Sequence, residues 1–133
     1  MLANPCVPRE PLDNLKYIPL GADPETYLSL GMDLRERLEI DDATLFGLGP
    51  VHDDTYLLQR TEVHADLHVG EHLQVFAQIE DARPFGKDAV SPVDKDPLDL
   101  EQAFVTLSEP LDGGTFKFRV GRQEMAFDLQ RFV

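Results

Sequence analysis

The feature that most constrains this chain is a long alternation of apolar and polar residues with period two. From Leu28 to Ile40 the even positions are apolar apart from Glu36, and the odd positions, Ser29 to Glu39, are polar or glycine. Only an extended strand sends alternate side chains to opposite faces. The same rhythm returns over Leu57–Val69, and Gly70-Glu71-His72 turns it into Leu73–Glu80, which reads as a hairpin. Leu98–Leu107 reads as a fourth strand with an ambiguous phase, since Leu98, Leu100 and Phe104 fall on one side and Ala103, Val105 and Leu107 on the other. A fifth follows Asp112-Gly113-Gly114, with Phe116, Phe118 and Val120 set against Lys117, Arg119 and Gly121. These strands are drawn as 27–40, 56–69, 73–80, 98–107 and 115–125, with connections of 15, 3, 17 and 7 residues between or beside them.

Long strands joined by alternately long and short connections suit a membrane barrel better than a soluble sandwich, whose strands average about 5–6 residues. The expected fold class is therefore all-β, an antiparallel meander of about five long strands forming the first part of a large outer-membrane β-barrel. Residues 1–26 hold Pro5, Pro8, Pro11, Pro19 and Pro24 and are expected to form an irregular lead-in to the barrel segment 27–133.

Composition narrows the functions. Among 133 residues, 42% are hydrophobic and 28% charged, which is not the make-up of a disordered tail. No run of residues is long and apolar enough for a membrane helix. Acids outnumber bases 25 to 12, for a net charge of −13, which argues against a nucleic-acid partner. The single cysteine, Cys6, allows no internal disulfide and is expected to be an inert thiol. No secretion signal is visible at the N-terminus.

Four stretches resemble the alginate export family of bacterial outer-membrane porins: LKYIPLGADPETYLSLGMDLRERLE (15–39), FGLGPVHDDTYLLQRTEVHADLHVGEHLQVFAQI (46–79), PVDKDPLDLEQAFVTL (92–107) and FRVGRQEMAF (118–127). The resemblance implies a large antiparallel barrel in the bacterial outer membrane. Five strands do not close such a barrel, so the chain is expected to be a piece whose remaining barrel strands lie elsewhere. It further implies a non-enzymatic channel passing an anionic polysaccharide or small polar solutes by facilitated diffusion, with outer-membrane lipid and lipopolysaccharide as neighbours. Polar-face residues would then line the pore: Asp33, Arg35, Arg37, Arg60, Glu62, His64, Lys117 and Arg119. A guanidinium matches a uronate carboxylate through paired hydrogen bonds. The competing expectation is that these arginines merely satisfy nearby glutamates. A soluble acidic β-sheet binding module without transport activity is the alternative function.

Other motifs carry less. His68-Val69-Gly70-Glu71-His72 matches the zinc-protease spacing H-x-x-E-H, but that chemistry needs a helix, and this stretch reads as strand and turn. On a strand His64 and His68 stand about 13 Å apart, too far to share an ion. Asp41-Asp42 and Asp53-Asp54 flank the first long connection and read as a solvated acidic loop rather than a calcium site. Asp99 and Glu101 share a strand face about 7 Å apart, a separation compatible with glycosidase carboxylates, but nothing else marks a catalytic cleft. No catalytic, metal or cofactor site is expected.

Overall fold

A computed structural model describes residues 11–42, 44–48, 53–88 and 90–124. Cys6 lies outside the described residues. Six strands follow in chain order: β1 (Ile18–Pro19), β2 (Tyr27–Asp41), β3 (Asp54–Val69), β4 (Leu73–Phe85), β5 (Asp96–Leu111) and β6 (Gly114–Arg122). They lie in one antiparallel sheet in that order, so every neighbour in sequence is a neighbour in space. The all-β meander with five long strands is as the alternation requires.

Each long strand keeps its period-two pattern, and the connections keep their rhythm. Residues 42–53, 70–72, 86–95 and 112–113 separate the five long strands: twelve, three, ten and two residues. The third connection is shorter than the seventeen expected, because β4 runs on through Asp81–Phe85 and β5 begins at Asp96. The expected third connection, 81–97, takes in Pro84 and Pro97, which belong instead to β4 and β5. Both sit within two residues of a strand end, where a missing N–H costs least. The lead-in contributes the two-residue β1, which pairs Ile18 with Leu28 and Pro19 with Tyr27. Asp112-Gly113 makes a tight hairpin that sets Leu111 opposite Gly114.

The phase ambiguity in β5 has a structural origin. Asp99 and Glu101 are half-buried while Leu98 and Leu100 are exposed; then Phe104 and Thr106 are buried while Val105 and Leu107 are exposed. The inward positions thus change from odd to even between Glu101 and Phe104.

Burial is inverted relative to a water-soluble domain. Among the described residues Tyr56 and Phe104 are the only buried apolar side chains, one in each of the two compact units given below, and no side chain is fully buried. Met32, Leu34, Leu38 and Ile40 of β2, Val63 and Val69 of β3, Val75 and Ile79 of β4, and Phe116, Phe118 and Val120 of β6 are exposed. An extended strand of 13 residues spans about 43 Å, so even a tilted one crosses a hydrocarbon core of about 30 Å.

The chain divides into two compact units. One draws on Met1–Gly31, His64–Gln78 and Glu101–Val133 and contains the short turns; the other comprises Met32–Val63 and Ile79–Leu100 and contains the long connections.

Candidate functional site

Within Met32–Val63 and Ile79–Leu100, a shallow recess of ≈ 330 Å³ gathers Arg35 and Arg37 of β2, Arg60 of β3 and Arg83 of β4. Leu58, Gln59 and Ala82 complete its walls, with Asp94 at its border. The period-two pattern explains the convergence. Arg35 and Arg37 occupy alternate positions on the face opposite Leu34 and Leu38, and Arg60 occupies that face on the adjoining strand.

Most of these arginines hold a carboxylate on their own strand, two residues away. Arg37 pairs with Glu39. Arg60 meets Glu62 at 3.0 Å and reaches Glu80 of β4 at 4.0 Å. Arg83 meets Asp81 at 2.6 Å. Arg35 makes no ion pair among the described residues. Arg37, Arg60 and Arg83 keep about half of their side-chain surface in solvent. Such exposed pairs contribute only about 0–1 kcal/mol each. They hold the guanidinium planes in place while leaving donors uncommitted, because each guanidinium has five N–H groups.

A polar chain ties the recess to the β4–β5 connection. The Tyr56 hydroxyl donates to Glu39 Oε2 at 2.6 Å, on the carboxylate that pairs with Arg37. Lys87 Nζ lies 4.9 Å from the Tyr56 ring centre and 2.8 Å from Asp94 Oδ1. Asp94 Oδ2 accepts the Ser91 N–H at 2.7 Å, closing a capping box around the 3-10 turn Pro92–Asp94. The Lys87 and Ser91 hydrogen bonds hold the Asp94 carboxyl below the ordinary carboxylate range. Asp54 was expected in a solvated acidic loop. It is instead a buried residue at the start of β3, where its Oδ2 accepts the Asp88 N–H at 3.2 Å.

The other unit carries a different arrangement. His64 of β3 stacks on Phe76 of β4 with ring centres 5.8 Å apart, and Phe76 stacks on Phe104 of β5 at 5.0 Å. The Arg119 guanidinium of β6 covers Phe104 at 4.1 Å, and its Nε donates to Thr106 Oγ1 at 3.0 Å. The row therefore crosses four consecutive strands. Tyr17, Tyr27 and His68 form a second stack, with centres 4.9 and 4.6 Å apart. Lys117 is exposed and sits opposite Ser108.

Of the eight residues the pattern singles out, Arg35, Arg37 and Arg60 come together in the recess, with Glu62 as Arg60's partner. Asp33 is exposed on β2, two positions before Arg35. His64, Lys117 and Arg119 belong to the other unit. Arg83, Asp94, Glu39 and Tyr56 escaped the sequence argument. Arg83 and Asp94 sat in what read as loop, and the Tyr56–Glu39 bond depends on a strand register that no local pattern reveals. His68-Val69-Gly70-Glu71-His72 is strand end and turn, as expected. His68 lies 3.2 Å from Asp66, and His72 Nδ1 donates to the Ser108 carbonyl at 3.0 Å. Glu101 accepts Gln78 Nε2 at 2.6 Å.

A family model described as alginate export matches residues 26–133. No curated protein and no solved structure matches the chain.

Proposed function

The chain belongs to the alginate export family, and from that membership we propose that its sheet is part of an outer-membrane barrel passing an anionic polysaccharide or small polar solutes by facilitated diffusion. One observation carries this reading: the two faces of the strands differ in chemistry. Aliphatic and phenyl side chains stand exposed on one face, where water would leave them unsatisfied and lipid would not. Arg35, Arg37 and Arg60, with Glu39, Glu62 and Glu80, occupy the other face, which in a barrel meets the lumen.

The candidate pore residues then have distinct roles. Arg35, Arg37 and Arg60 offer planar donors to carboxylates of a passing uronate chain. The acids beside them, Glu39, Glu62 and Glu80, keep each contact weak. An arriving carboxylate exchanges with one that is already there, so the substrate binds and leaves without a deep trap. Asp33, His64, Lys117 and Arg119 would line the same lumen.

The test is conductance. The full-length native product is reconstituted in planar bilayers, and current is recorded with oligouronates and with neutral oligosaccharides of equal length. Transient blockade by the uronates, weakened by added salt, is the expected result. A protein that gives no channels, or that blocks equally with both sugars, overturns the proposal.

A further inference from the structure

We propose that Phe46 and Leu48, in the connection between β2 and β3, form an interfacial anchor seated in the outer leaflet of the membrane. The inference rests on the barrel reading above and adds to it a lipid contact outside the strands.

Three observations carry it. Phe46 and Leu48 are 98% and 90% exposed, more than any other large apolar side chain among the described residues. Phe46 also holds a positive φ of 58°, followed by Gly47 at 75°. A bulky aromatic residue is disfavoured in that region, where glycine or asparagine is at ease. Neither backbone preference nor packing among the described residues thus accounts for phenylalanine at this position. A local rule broken with no internal gain points to a contact outside the chain.

The nature of that contact follows from what leads up to it. Met32, Leu34, Leu38 and Ile40 are the exposed apolar row of β2, and the last of them precedes Phe46 by six residues. The apolar chemistry of the strand therefore resumes just past its end. The acids around the tip do not form a continuous negative collar: Asp41 is engaged, and Asp54 is buried on the Asp88 N–H. Asp42 and Asp53 remain exposed. An apolar tip with polar flanks is the pattern of a segment that rests at the boundary of headgroups and acyl chains.

The chain contains no tryptophan, so one introduced indole reports alone. Leu38→Trp, Phe46→Trp and Leu48→Trp are each prepared in the full chain and reconstituted in phosphatidylcholine vesicles with brominated acyl chains. The expected result is quenching of all three, with Phe46→Trp and Leu48→Trp most sensitive to bromine placed near the headgroup. Quenching of Leu38→Trp alone, with the two tip indoles emitting as in water, overturns the anchor and leaves the barrel intact. An unquenched Leu38→Trp overturns the barrel reading, and the anchor with it.

Discussion

The two units answer the same problem, an arginine on a polar sheet face, in different ways. In Met32–Val63 with Ile79–Leu100, Arg37 and Arg60 are held by carboxylates. In the other unit Arg119 is held by a phenyl ring and a threonine hydroxyl, and it makes no ion pair among the described residues. A carboxylate cancels the charge it orients; an aromatic face and a hydroxyl orient it and leave the charge in place. The first arrangement suits exchange and the second suits rigidity. The stacked row also supplies that second unit with the nearest thing it has to a core.

The strongest way to break the comparison is to attack the rigid arrangement. Gly121 has φ +134°, and a Cβ there would meet the Ala103 carbonyl oxygen at 2.2 Å and Phe104 Cα at 2.6 Å. Both are backbone atoms of the paired strand, so nothing gives cheaply. Gly121→Ala should cost about 3 kcal/mol and separate Arg119 from Phe104. Urea unfolding in detergent micelles measures it. Gly31 is the control, because the three atoms nearest its Cβ would all belong to the His64 ring. That ring can turn aside, so Gly31→Ala should cost about 1 kcal/mol, and Gly31→Ala with His64→Ala should recover most of it.

A smaller effect sharpens the contrast in charge. Arg60→Ala should leave stability within about 1 kcal/mol, since its pairs are exposed. Uronate blockade should weaken about tenfold, the worth of one charge-assisted hydrogen bond of roughly 1.4 kcal/mol. Arg119→Ala should move stability and blockade together. If the two variants behave alike in both measurements, the division between exchangeable and rigid arginines fails.

The smallest effect is a pH response of the connection over the recess. Asp94 is held below the ordinary carboxylate range by Lys87 and Ser91. Its contribution is therefore complete above the unfolded value of about 4 and is lost as pH falls through the lower native one. Amide exchange in residues 86–95 should quicken only in that acidic window. Asp94→Asn should exchange fast at all pH values and show no such step.

The fold was largely legible because one face of each strand meets a uniform environment, and a uniform environment enforces strict alternation. Leu28–Ile40 and Leu57–Val69 show it plainly. The pattern failed where a strand continues beyond the stretch that the alternation marks. Asp81–Phe85 carries charge and a proline, reads as loop, and belongs to β4. The recess was half legible for the same reason. Arg35, Arg37 and Arg60 follow the alternation, whereas Arg83 lies past its visible end. The Tyr56–Glu39 bond and the Phe76–Phe104 stack join residues 17 and 28 positions apart, and only strand pairing brings them together.

The lack of any fully buried side chain among the described residues bears on how this protein comes apart. Cooperative melting in water draws its sharpness from apolar surface that unfolding newly exposes, and so do its heat-capacity change and its denaturant slope. Here much of that surface faces outward already. In water the chain should lose structure gradually, strand by strand, with a small heat-capacity change. In the barrel proposed above, a sharp transition would belong to the protein and its lipid together, so the unit that melts would be larger than the polypeptide.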